Sequence, residues 1–516
     1  MELKVRSTSN KAGFPADKET SDQTQIGRHM MKFFDLSRSR DHLFFLLGIL
    51  LFLFIWMVNP FGVDPKAVKV LAVAVLMITW WITEALPMPV VALIPLVMFP
   101  LLGISSISET AAPYANEVIF LFMGGFLIGL AIEKWNLHKR IALSIVNVTG
   151  TSGDRIILGF IISTGLISMW LSNTATTMMM YPIALSVIAV MQRAHPETDK
   201  SSNFSLGIML AIAYASNFGG IATLIGTPPN VAYASFMNKR YHYDISFLNW
   251  MVICLPVSLM LLFSLYFVMV KWLYPNRIGT SPEVHRMVRA ELEELGPLRK
   301  PEKRVLFIFL LTACLWIFRE LINRTGLLKL DDNMIAVFGA ILLFMVPSGE
   351  VNKSESRLLN WDDTKKMAWG ILLLFGGGIT LANALEKAGV IAMVGRWIAG
   401  FSGSNVFVVI LVITTVSIFL SEVMSNVAQV IVFAPVISGI ADALGMNPFL
   451  LGMPMVLAAS CASMLPMGTP PNAIVFASGY LKIKDMTKVG LMMNLISIIL
   501  ITFFCSVILP HFLYLK

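Results

Sequence analysis

Charge is what this chain has least of. Only 14% of its 516 residues are Asp, Glu, Lys or Arg, where a soluble domain carries about a quarter. Hydrophobic residues make up 56%, and the mean hydropathy is +0.75. Those values exclude a soluble fold. A spanning helix needs about 20 mostly apolar residues to cross roughly 30 Å of hydrocarbon. Stretches 43–59, 66–83, 251–270, 305–318, 333–347 and 488–509 meet that need. Cysteine is also scarce. Cys254, Cys314, Cys461 and Cys505 all fall in apolar runs without a CxxC pair, so buried free thiols are expected rather than a disulfide framework or transition-metal site. Catalytic signatures are missing too. There is no HExxH and no GxSxG, and His29, His42, His138, His195, His242, His285 and His511 sit in the tail, in loops or near span ends. An intramembrane enzyme has no machinery here. No cleavable signal peptide is read: the first 40 residues are polar, and the first apolar run is long enough to span.

The charge that is present is clustered. The formal balance of +8 gathers in the tail (Lys4, Arg6, Lys11, Lys18, Arg28, Lys32, Arg38, Arg40) and in the middle loop (Lys271, Arg277, Arg286, Arg289, Arg299, Lys300, Lys303, Arg304). Such clusters mark cytoplasmic segments of a membrane protein, and no nucleic-acid partner is needed to explain them. The middle loop is expected to be solvated. Trp80 and Trp81 are read as interfacial anchors.

Internal repetition carries most of the information. Ser172-Asn173-Thr174-Ala175 recurs as Ser425-Asn426-Val427-Ala428, 253 residues later. Gly124-Gly125-Phe126 with Glu133-Lys134 recurs as Gly377-Gly378-Ile379 with Glu386-Lys387 at the same offset. Gly226-Thr227-Pro228-Pro229-Asn230 recurs letter for letter as Gly468-Thr469-Pro470-Pro471-Asn472. The order is the same in both halves. The organisation expected is a disordered cytoplasmic tail (1–42), a first membrane half (43–272), a cytoplasmic loop (273–303) and a second membrane half (304–516). Within the first half a spanning helix (118–135), an amphipathic stretch (136–152), a re-entrant hairpin (154–191) and a broken helix (204–238) follow one another. The second half repeats this as 367–387, 389–403, 405–441 and 449–480. With the N-terminus inside, counting crossings opens the first hairpin to the cytoplasm and the second to the outside. Inverted repeats with broken helices characterise secondary transporters with a midplane site. A channel has no reason to keep them.

Proline lacks an N–H and bars the preceding residue from helical geometry, so each Pro-Pro pair leaves upstream carbonyls unpaired. Free carbonyls with Ser and Asn oxygens suit a small alkali cation, and half-helix N-termini suit a carboxylate. Ser, Thr and Asn in membrane helices commonly serve packing, but duplication in matching order argues for function. Segments 156–190, 204–238, 406–440 and 449–479 contain no Lys or Arg, and their single acidic residue is Glu422. An anion bound there has no basic side chain to neutralise it, so co-bound cations must do so. Glu422 is either a functional, titrating group or a protonated hydrogen-bonding residue that holds the hairpin.

These doubled motifs, with Ile78-Thr79-Trp80-Trp81-Ile82-Thr83-Glu84-Ala85, resemble the divalent anion/sodium symporter family over residues 43–512. The resemblance implies an all-α polytopic plasma-membrane protein of eleven spanning helices and two re-entrant hairpins. It further implies a homodimerising scaffold and an elevator-type transport part. It implies symport of a di- or tricarboxylate with sodium ions. One sodium site would use Ser168, Ser172, Asn173 and the Gly226 backbone; the second, Ser421, Ser425, Asn426 and the Gly468 backbone. Substrate would meet Asn173, Thr174, Asn426, Val427 and Pro470. Val427 departs from the family's Thr and removes one hydroxyl donor. That leaves C4-dicarboxylates (succinate, malate, fumarate) against citrate open, with proton-coupled transport or exchange through Glu422 as a further alternative.

Overall fold

A computed structural model describes residues 42–194, 199–276, 278–326, 328–349, 356–393 and 405–514. The tail up to residue 41 and most of the amphipathic stretch 389–403 lie outside them. Among the described residues the regular elements are helical, apart from two isolated β-bridges. Among the described residues eight helices are long and apolar enough to cross a membrane, and five shorter apolar ones accompany them.

Helices α1 (His42–Val58), α2 (Pro65–Thr83), α3 (Met88–Leu101) and α4 (Glu117–Lys134) come first. After α5 (Leu137–Thr149), α6 (Gly153–Ser168) and α7 (Asn173–Ala194) are joined by a short turn, a helix pair called the first hairpin below. The broken helix is α8 (Asp199–Gly220) and α9 (Pro228–Tyr241). Next come α10 (Phe247–Tyr266), α11 (Pro282–Glu294), α12 (Lys300–Arg324) and α13 (Asp332–Met345). The second half repeats the plan with α14 (Trp369–Lys387), the hairpin α15 (Val406–Ser421) and α16 (Asn426–Leu444), and the break between α17 (Pro448–Ala459) and α18 (Pro470–Phe476). Helix α19 (Ile483–Phe503) is the last long one.

The local causes match in the two halves. Hairpin helices α6 and α15 are both 16 residues long and end at the paired serines. Thr227 and Thr469 are N-caps with nearly the same backbone (φ −143° and −144°, ψ 139° and 150°), each followed by Pro at the first helical position. The Gly-Gly pairs permit close helix contact, as small residues do in membranes. A Cβ on Gly124 would lie 2.5 Å from the Ala336 carbonyl carbon of α13, and one on Gly125 3.1 Å from Ile225 in the break. On α14 a Cβ at Gly377 would meet the Ala92 carbonyl, and one at Gly378 would press into Ile431 of α16.

Three expectations need correction. Trp80 and Trp81 are not interfacial: both are buried, with Trp80 stacked on Phe45 and donating to its carbonyl at 3.1 Å, and Trp81 donating to Met88 O at 3.3 Å. Cys314 is exposed on α12, while the other three cysteines are buried. The basic middle loop is folded rather than merely solvated. Helix α11 buries Val284 and Val288 against α5 and α7. Arg140 pairs with Glu302 at 2.8 Å and donates to Leu295 O and Gly296 O, and Lys139 pairs with Glu291 at 2.7 Å.

Candidate functional site

Each half contributes its last half-helix to the other half's hairpin. Helix α9 packs on α16, and α18 packs on α7 and α8. This exchange brings the two copies of the duplicated motif together. Asn173 Nδ2 donates to Asn217 Oδ1 at 3.4 Å, and Asn217 Nδ2 donates to Thr469 Oγ1 at 3.1 Å. The first hairpin tip is thereby linked to the second break. Tyr214 adds a bond from its hydroxyl to Ser463 O at 2.6 Å.

In the first half, Ser168 Oγ lies 2.8 Å from both Asn173 Oδ1 and the Ser216 carbonyl. A hydroxyl has one proton and can satisfy one of these acceptors. The backbone oxygens crowd the same place. A Cβ on Gly226 would lie 2.5 Å from Gly220 O and 3.0 Å from Ser168 O; one on Gly220 would run into Asn173 Oδ1 and lie 3.2 Å from Gly226 O. Only glycine at both positions leaves this oxygen cluster its room. Of the expected ligands, Ser168, Asn173 and Gly226 come together. The Ser172 hydroxyl accepts from Ala175 N at 3.3 Å, capping the start of α7.

The second half repeats the core of this arrangement. Ser421 Oγ lies 2.6 Å from Asn426 Oδ1 and 2.5 Å from Ala459 O, again two acceptors for one proton. Ser425 is the N-cap of α16 without a capping side-chain bond. Gly468 faces Glu422: a Cβ there would lie 3.0 Å from Glu422 Oε2. The buried Glu422 carboxylate accepts from Ser463 N and Met464 N at 2.8 Å, Leu465 N at 2.9 Å and Asn494 Nδ2 at 2.8 Å. All four partners donate, so Glu422 ties hairpin, break and α19 together. At the equivalent place in the first half, Thr223 Oγ1 donates to Met169 O and accepts from Gly226 N at 3.1 Å. Two different devices close the same gap. Thr174 and Val427 stand half-buried just inside the α7 and α16 N-termini, and Pro470 is exposed at the head of α18.

Residues Ser216, Asn217, Gly220, Thr223 and Asn494 were not legible as site residues. The available signal for two of them was a further Ser-Asn dipeptide, Ser216-Asn217, inside an uncharged apolar run.

Apolar spans enclosing a doubled, oxygen-rich break make this a polytopic membrane transporter. Residues 39–511 match the sodium:sulfate symporter transmembrane region family, and the chain belongs to that family. It is 40% identical over 473 residues to the sodium-dependent dicarboxylate transporter SdcS of Staphylococcus saprophyticus, covering 91% of this chain and 90% of that one. It is 37% identical over 506 residues to SdcS of Staphylococcus aureus strain USA300, covering 95% and 96%. These relatives are transporters, and this chain is likewise not an enzyme. In fold it is similar to the YdaH transporter of Alcanivorax borkumensis, with a TM-score of 0.52, 12% identity, and 84% of this chain and 98% of that one covered. MtrF of Neisseria gonorrhoeae also gives 0.52 at 12% identity, covering 80% and 84%.

Proposed function

We propose that the chain is a secondary symporter of the plasma membrane, carrying a dicarboxylate such as succinate, malate or fumarate together with sodium ions. Its N-terminus is cytoplasmic, its halves are inverted repeats within eleven spans, and its hairpins and broken helices move as an elevator against a dimeric scaffold. One sodium ion binds among Ser168, Ser172, Asn173 and Gly226, with the Ser216 and Gly220 carbonyls added. A second binds among Ser421, Ser425, Asn426 and Gly468. Substrate carboxylates meet Asn173, Thr174, Asn426, Val427 and Pro470 beside the positive ends of α7, α9 and α16.

The observation that carries this reading is the doubled serine hydroxyl facing two acceptors with one proton. Surplus oxygens at such spacing are relieved by a cation. The charge inventory points the same way, because burying an anion without a partner charge is prohibitive. The SdcS relatives are named as sodium-dependent dicarboxylate transporters, which supports both cargo and coupling. Proton coupling through Glu422 is disfavoured by its four N–H donors. Citrate is disfavoured because Val427 offers no donor for a third carboxylate.

Uptake of labelled succinate and citrate into proteoliposomes tests the proposal. Succinate should accumulate with an inward sodium gradient and stay at background in choline at uniform pH. Equal uptake in choline would end the reading.

A further inference from the structure

Away from the doubled motif, α9, α14 and α16 surround a narrow, partly open cavity whose lining includes Ala232, Lys239, Arg240, Ala382, Asn383 and Glu386. Two of its walls are the helices that begin at Pro228 and Asn426, so the cavity lies along them beyond the motif. Arg240 stands at its rim, roughly 18 Å along α9 from Pro228 at the rise of an α-helix.

Arg240 holds two carboxylates in different ways. Its Nη2 donates to Asp442 Oδ2 at 2.9 Å, and its Nε donates to Tyr241 Oη at 3.0 Å. That hydroxyl in turn lies 3.0 Å from Asp442 Oδ1, so Asp442 is fixed by a closed set of bonds. Glu386 Oε1 lies 2.5 Å from Nη1, yet the buried Nη1 makes no hydrogen bond, because the contact is out of line with its N–H groups. The Arg240 side chain is 13% exposed and that of Glu386 43%. Asp442 is anchored by directional bonds; Glu386 is held by charge alone, and from a separate helix, α14.

We propose that Arg240 is an anion-receiving latch, in which Glu386 occupies the place that a cargo carboxylate takes when the cavity opens. This rests on the transport reading above. A guanidinium binds a carboxylate through paired, parallel N–H···O bonds from two of its nitrogens; Nη1 with the second N–H of Nη2 can offer such a pair, and Nη1 makes no hydrogen bond while Glu386 sits askew. Opening the cavity separates α14 from α9 and α16, which removes Glu386 and leaves Asp442 in place. Arg240 and Lys239 are then the fixed positive charges nearest the break on α9, since 204–238 holds none.

The test uses the full chain in proteoliposomes, with Cys314→Ser as background and Ala382→Cys as a reporter inside the cavity. A membrane-impermeant maleimide reads opening, and half-saturation of sodium-driven succinate uptake reads anion capture. Glu386→Gln and Arg240→Gln both break the ion pair, so both should speed labelling, by about fivefold for a partly exposed pair. Their half-saturation values should move apart, falling in Glu386→Gln because a competing carboxylate is gone and rising in Arg240→Gln because the receiver is gone. Unchanged labelling in Glu386→Gln overturns the latch. Half-saturation that is unchanged, or shifts in one direction in both variants, overturns the receiving role. Where Arg240→Gln fails to fold, Arg240→Lys, with the charge but not the fork, carries the same expected rise. Labelling requires no substrate, and sodium-driven uptake by the parent protein separately judges the transport reading.

Discussion

Ser168 and Ser421 each place one proton before two acceptors, and the consequence can be measured residue by residue. Asn173→Ala and Asn426→Ala each remove one side-chain oxygen from a cluster. Sodium-driven uptake should fall to background in both, with the protein remaining monodisperse on size-exclusion chromatography. Gly226→Ala would drive a methyl to 2.5 Å from Gly220 O, filling the first cluster and giving the same phenotype. Glu422→Gln behaves differently. It turns one acceptor oxygen into a donor facing backbone N–H groups, so it should destabilise the protein by about 2–3 kcal/mol, seen as a lower melting temperature in detergent. A normal melting temperature with altered pH dependence of uptake would instead restore the proton-carrier role. Val427→Thr returns one hydroxyl donor, worth about 0.5–1.5 kcal/mol. Citrate should then compete with succinate roughly two- to tenfold better.

Elements explain why part of this was readable in the sequence and part was not. The repeated Gly-Thr-Pro-Pro-Asn declared its break, because proline imposes the same backbone on any chain that contains it. Both hairpins were likewise marked by a polar tip within an apolar run. Glu422 was visible as an intramembrane carboxylate with two roles open, and its partners were not: three of the four are backbone N–H groups of residues 463–465, and backbone has no letter. Trp80 and Trp81 misled because amphipathic rings suit an interface and a packed core equally, and only neighbours such as Phe45 decide. The Gly-Gly pairs were seen as repeats without their reason, which is contact between particular helices. They yield an unequal prediction. Gly377→Ala pushes a methyl against the backbone of Ala92, whereas Gly378→Ala meets the Ile431 side chain, which can turn away. Overpacking costs about 1–3 kcal/mol where neighbours cannot yield. The yield of folded protein should therefore drop for Gly377→Ala and hold for Gly378→Ala.

For the molecule as a whole, a ligand that binds only the folded state raises its stability in proportion to the logarithm of its concentration. Sodium chloride should raise the melting temperature of the purified protein where choline chloride at equal ionic strength does not. At a hundredfold excess over the dissociation constant the gain is about 2.7 kcal/mol for one site. Asn173→Ala should lose part of that gain and keep the remainder, because the second cluster does not include it. The exchange of half-helices between the two hairpins bears on biosynthesis as well. A chain leaving the ribosome has inserted its first hairpin long before α18 exists, and until then Asn217 has no Thr469 to hold. The nascent first half therefore waits in the bilayer with its tip bonded only within itself and the Asn217 amide short of its partner, until its later counterpart arrives.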